Sequence, residues 1–142
     1  MKMMSGRRLI VGAIGLLGLV GGRTECHADS IDPRLVGAWT TSEADCAKLF
    51  VGSGGHLAYR QPVDKFAQAA IIEPGVIRLP ASTCRVERVS HEKAIVKITA
   101  ECNDTISYTT QNVQIRVNAN GDIVYSPTGD PTLDTTFVKC RR

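Results

Sequence analysis

Thr83–Cys102, reading TCRVERVSHEKAIVKITAEC, decides the fold. In its second half Ala94, Val96, Ile98, Ala100 and Cys102 share one parity, while Lys93, Ile95, Lys97, Thr99 and Glu101 share the other. Successive side chains of a strand point to opposite faces, so this alternation marks an antiparallel strand with one dry and one wet side. Thr83–Val89 reads as its partner, with Ser90-His91-Glu92 as the connecting loop. An isolated hairpin is at best marginally stable in water. The pair therefore belongs to a larger sheet.

Outward from this hairpin the period of two persists. Upstream, Ala69–Glu73 and Val76–Leu79 flank Pro74-Gly75, a turn pair in which proline presets φ and glycine permits a positive one. Downstream, Thr105–Val117 changes phase. Ile106 and Tyr108 are even, Val113, Ile115 and Val117 odd, which predicts a bulge or corner near Thr110–Asn112. Asn120-Gly121 is a hairpin turn before Ile123–Ser126. The turn-rich stretch Pro127–Asp134 leads to a last strand, Thr135–Cys140. Nearer the start, Leu35–Thr41 reads as a strand and Ser42 as the cap of a short helix, Glu43–Phe50. Gly52, Gly54 and Gly55 end that helix before a short strand, His56–Arg60. About eight short strands and one short helix predict a mostly β fold. The expected form is a small antiparallel meander barrel; the alternative is a two-sheet sandwich.

The start of the 142-residue chain has another character. Lys2, Arg7 and Arg8 precede the apolar run Leu9–Val20, and Ala28 stands before Asp29. This is the order of a secretory signal. As a helix the run reaches roughly 18 Å, short of a hydrocarbon core of about 30 Å, so no stable membrane anchor is expected. Residues 1–28 are read as a leader, carrying Cys26 with them, and residues 29–142 as a single disulfide-stapled β domain. The expected location is periplasmic or secreted.

The net charge of +3 belongs to that leader. Lys2, Arg7, Arg8 and Arg23 precede residue 29 against Glu25 alone, and the remainder balances. Nucleic-acid binding needs a clustered positive field, and none is visible.

Cys46, Cys84, Cys102 and Cys140 remain, an even number that reads as two disulfides in an exported chain. Their spacing is too wide for a zinc motif. If the strands alternate up and down, Cys46 and Cys140 lie near one end and Cys84 and Cys102 near the other. That favours 46–140 with 84–102. The hairpin register objects: with Ser90–Glu92 as the loop, Cys84 faces Ile98, roughly 14 Å from Cys102. A bridge needs Cα atoms about 5.5–6 Å apart. The pairing then requires a curl after Ala100 or a bulge before Cys84.

Chemistry is sparse. His56 and His91 have no nucleophile motif around them, and every cysteine after residue 28 is assigned to a bridge. No catalytic residue, metal or cofactor is predicted, although a spatial group of either histidine with a carboxylate would make an enzyme. Asp122, Asp130 and Asp134 are read as turn formers.

Three resemblances add expectations. Gly37-Ala38-Trp39 resembles the G-x-W of lipocalins and related calycin barrels. It implies a Trp closing one barrel end, a basic residue of the last strand over it (Lys139 or Arg141), and a small apolar ligand inside. Ser53-Gly54-Gly55-His56-Leu57-Ala58-Tyr59 resembles the Ser-Gly loop and Tyr of periplasmic inhibitors of c-type lysozyme. It implies contact through Ser53, Gly54 and Tyr59, and His56 in the same segment completes the candidate binding set. The whole layout resembles small exported β proteins of α-proteobacteria, a likeness that carries no activity.

The expected function is therefore an exported, non-enzymatic binding protein. Its partner would be a protein, a hydrolase in the inhibitor-like version, met through the loops Gly52–Gly55 and Pro127–Asp134. One alternative is a carrier of a small apolar ligand, which needs a cavity of about 300 Å³ or more. Another is a structural periplasmic protein.

Overall fold

A turn precedes the first strand. In the computed structural model, which describes residues 30–141, Pro33–Leu35 forms a 3-10 turn. The leader expected over residues 1–28, with Cys26, lies outside the described residues. The Asp32 carboxylate accepts from the Arg34 N–H at 2.9 Å and caps this turn. Leu35 is used there, so β1 (Gly37–Thr40) is shorter than expected. The Ser42 hydroxyl accepts from the Ala44 N–H at 3.3 Å and starts another 3-10 turn, Glu43–Asp45, that runs into α1 (Cys46–Leu49). β2 (Phe50–Val51) and β3 (Ala58–Tyr59) pair with each other outside the main sheet. The strand expected from His56 begins later because Gly54–His56 turns as a 3-10 helix. There follow β4 (Ala69–Glu73), β5 (Val76–Arg78), β6 (Thr83–Glu92), β7 (Ile95–Asn103), β8 (Tyr108–Val117), β9 (Ile123–Ser126) and β10 (Thr135–Lys139).

Eight of these strands close into an antiparallel barrel. β4 to β10 form a meander in chain order, and β1 fills the gap between its two edges. Trp39 faces Lys139 of β10 on one side, and Gly37–Thr40 face Ile72 to Ala69 of β4 on the other. The barrel reading holds over the sandwich.

The hairpin at the centre of the prediction forms in a different register. Glu92 pairs with Ile95, so Lys93 and Ala94 make the turn, and His91 lies in β6 opposite Val96. Carried unchanged up the hairpin, that register would set Cys84 opposite Asn103. A bulge between Val86 and Arg88 absorbs one residue, and Cys84 faces Cys102. The same bulge switches the buried parity of β6 from Cys84 to Val89. The disulfides are Cys46–Cys140 and Cys84–Cys102.

β8 corrects a second expectation. It pairs with β7 without interruption from Tyr108 to Arg116, so no bulge falls at Thr110–Asn112. Ile106 and Tyr108 need no inward phase because they are exposed, at 94% and 65%.

Inward residues fill the barrel. Trp39, Ile72, Ile98 and Ile115 are almost completely buried, and the Cys84–Cys102 bridge belongs to the same cluster. Ala38, Phe50, Ala69 and Ile71 form a second, outer layer, where the segment of α1, β2 and β3 covers the wall of β1 and β4. Cys46–Cys140 ties that segment to the end of β10. Its loop spans 94 residues, for which chain-entropy arguments give about 4.7 kcal/mol of stabilisation.

The bulge makes a sharp prediction. Val89→Asp places a charge among buried apolar side chains and is expected to cost on the order of 3 kcal/mol or more. Ser90→Asp, one residue on and solvent-facing, is expected to leave the urea midpoint nearly unchanged. Equal shifts for the two variants contradict the register.

Candidate functional site

The two ends of the barrel differ. One is closed by the chain that enters β1. Ile31 and Leu35 are buried in the interior cluster, and the Trp39 indole N–H donates to the Leu35 carbonyl at 2.7 Å. Lys139 lies over Trp39, its Nζ 5.3 Å from the ring and donating to the Arg34 carbonyl at 2.9 Å. Gly37 is needed beside it. Its φ is +142°, and a Cβ there would stand 2.9 Å from Lys139 Cε. Of the two basic residues considered for the Trp cover, Lys139 is the one on the ring.

The other end receives the connections from β1 to β4, β5 to β6, β7 to β8, and β9 to β10, because the strands alternate in direction. A cleft of about 290 Å³ opens there. Its floor is made by Ala70, Leu79, Tyr125 and Phe137, all members of the interior cluster or packed against it. Its rim is made by Lys65, Ala67, Gln68, the turn at Pro80–Ser82, Pro127 and Leu133. The Tyr125 and Phe137 rings meet edge to face at 6.0 Å, which fixes both walls without filling the space between them. Below this floor side chains occupy the barrel.

Exposed apolar side chains gather at this same end. Phe66 is 95% exposed in the connection to β4, Ile106 lies between β7 and β8, and Leu133 between β9 and β10. Large apolar residues are thus left in water on three of the loops around one opening.

The segment Ser53–Tyr59 sits elsewhere, on the outer wall. Ser53 and His56 are exposed, and the His56 N–H donates to the Ser53 carbonyl at 3.2 Å, giving the loop a defined shape. Gly54 starts that 3-10 turn. Gly52 is required at φ +84°, where a Cβ would meet the His56 carbonyl oxygen at 2.2 Å. Tyr59 plays a different part. Its ring packs on Phe50 at 5.4 Å and its hydroxyl donates to the Arg78 carbonyl at 2.8 Å, so it anchors the outer layer. A groove of about 570 Å³ runs between this loop and the wall, bordered by Gly37, Gly55, Leu57 and Pro74.

His56 and His91 are both exposed. Among the described residues no group of His, Cys, Asp and Glu is arranged to hold a metal ion. The three aspartates act in turns or ties. Asp122 accepts from the Asn120 amide at 2.6 Å, Asp130 accepts from the Thr132 N–H at 2.9 Å, and Asp134 takes the Ser126 hydroxyl and lies 3.5 Å from Arg116. No helix among the described residues is long and apolar enough to cross a membrane.

The sequence reading singled out Trp39 and Lys139 but not the mouth. Tyr125 and Phe137 fall on two strands that the sequence reading recognised, but that they stop short of covering their end of the barrel has no local signal. Comparison with family models, curated proteins and solved structures returns no match for this chain.

The tyrosines give this geometry a pH signature. Tyr59, Tyr108 and Tyr125 are the three in the chain, and all are held above the ordinary phenol range. Burial does this for Tyr59 and Tyr125; for Tyr108 it is the hydrogen bond to the Glu101 carboxylate. The fold favours the neutral phenols, so their contribution is complete below about pH 10 and is lost as pH rises toward the folded values. The urea midpoint is expected to fall between about pH 9.5 and 11.5. Tyrosinate absorbance at about pH 10.5 should stay well below that of the unfolded chain. Identical titration of folded and unfolded protein contradicts the packing of Tyr59 and Tyr125.

Proposed function

We propose that this is an exported binding protein whose working surface is the open end of the barrel, and that it takes a small apolar group into the cleft there. The observation that carries the reading is the asymmetry of the barrel. One end is plugged by Leu35 and Trp39 under Lys139, while the other leaves about 290 Å³ between Tyr125, Phe137, Leu79 and Ala70. That volume is near the lower limit of small-molecule sites, and apolar walls with few polar groups are their usual make-up. The plugged end also fits what the likeness to calycin barrels implies, with Lys139 in the covering role. Two disulfides support an oxidising compartment. An assignment as binding protein rather than enzyme rests on the character of the cleft, whose border carries no acid, histidine or cysteine.

A second reading keeps the protein partner. The loop Gly52–His56 is held in one shape next to the groove at Gly55 and Leu57, and a preshaped loop loses little entropy on docking. Ser53 and His56 would make the contact, with Tyr59 supporting from beneath. Inhibition of a c-type lysozyme that disappears on replacing Ser53 and His56 is the outcome this reading needs.

The principal test uses a neutral dye. Nile red titrated into the disulfide-intact protein is expected to saturate with one site at micromolar affinity. Ala81→Trp puts an indole on the rim from an exposed position, and should weaken binding about tenfold with little change in stability. Absence of saturable binding, or an unchanged affinity in the Trp variant, removes the mouth as the site.

A further inference from the structure

We infer that the ligand of the mouth is an amphiphile with an apolar chain and an anionic head, and that Lys65 receives that head; the inference rests on the mouth being the binding site. Lys65 is the one residue bordering the cleft with a formal charge. It has no salt-bridge partner among the described residues.

Several other cations of the described residues have partners of their own. Arg78 binds Glu73 at 2.7 Å and the Leu57 carbonyl at 2.6 Å, Arg60 binds the Ala47 carbonyl at 3.0 Å, and Arg116 faces Asp134 at 3.5 Å. On the acidic side, Asp64 accepts from the Phe66 N–H at 3.0 Å, Asp104 from the Ile106 N–H at 2.8 Å and Asp130 from the Thr132 N–H at 2.9 Å. These carboxylates close their own turns.

The turn at Asp64 also fixes where Lys65 sits. The Ala67 N–H donates to the Asp64 carbonyl at 3.2 Å, so the backbone doubles back at Lys65 and Phe66 just before the wall at Ala69 and Ala70 begins. An unpaired ammonium at the border of an apolar cleft favours a ligand that buries a hydrocarbon tail and keeps its negative group at the water line. A neutral chain gains nothing from the hydrated cation, and a cationic one is repelled by it. A medium-chain carboxylate has this chemistry.

The ammonium is exposed, so its effect is limited. A solvent-exposed ion pair changes an affinity by a factor of up to about five, less in salt. Calorimetric titration of the disulfide-intact protein at pH 7 and low ionic strength, with octanoate and with n-octanol, reads it directly. Octanoate is expected to bind about three- to fivefold more tightly than octanol, and the difference should shrink toward unity at high salt. Lys65→Gln should abolish the preference while leaving octanol unchanged, and Lys65→Glu should reverse it. Equal affinities in the parent protein, or a preference that survives Lys65→Gln, overturns the inference while leaving the mouth in place. Failure of both compounds to bind overturns the inference together with the reading beneath it.

Discussion

β1 is four residues long, yet both edges of the sheet depend on it. A meander of seven strands has two rows of unpaired backbone groups, each a template for unwanted pairing. Gly37–Thr40 supplies partners to β4 and β10 at once, and closure removes both rows. This insertion also sets the character of the barrel ends. The chain entering β1 has to pass under one opening, and it leaves Ile31 and Leu35 there as a plug beneath Trp39. The opposite opening is bordered only by loops.

The disulfides tie two different parts of the barrel. β1 and β10 share a short ladder, and Cys46–Cys140 holds the segment following β1 against the end of β10. Cys84–Cys102 lies within the long β6–β7 hairpin, beyond the bulge, and locks the register that the bulge creates. In a domain of this size each bridge represents a large part of a stability that is typically about 5–15 kcal/mol. The outer layer depends on the first bridge in the same way, since α1, β2 and β3 cover only a small wall of Ala38, Ala69, Ile71 and Phe50.

In the function proposed for it, the shallow open end of the barrel takes a ligand that enters partway. Phe66 and Leu133 extend the apolar surface beyond the cleft, so the contact area of a larger ligand need not end at the rim. The loop Gly52–His56 is a separate feature on the outer wall. Its contacts run through Tyr59 to Arg78, and Arg78 in turn holds Leu57 and Glu73. Outer wall and mouth are therefore distinct surfaces, each with its own chemistry.

Much of the fold was legible in local pattern. The alternation in Ile95–Cys102, the turns at Pro74-Gly75 and Asn120-Gly121, and the parity of Val113, Ile115 and Val117 act over a few residues, and the barrel uses all of them as expected. With Ser90–Glu92 taken as the loop, the Cys84–Cys102 pairing required a curl after Ala100 or a bulge before Cys84; the turn at Lys93-Ala94 and a bulge at Glu87 meet the requirement instead. Ile106 and Tyr108 were misread as inward because parity shows that two positions differ without showing which side is wet. The candidate site was less accessible. Ser53, Gly54, His56 and Tyr59 stood out as a motif, whereas the mouth unites residues from Lys65 to Phe137 that share no local pattern. Sequence by itself determined the strands, their turns and the inward faces, since these follow from backbone periodicity and steric preference. Closure, the filled interior and the open end were decided only in three dimensions, because whether side chains meet across a barrel depends on stagger and volume summed over all eight strands.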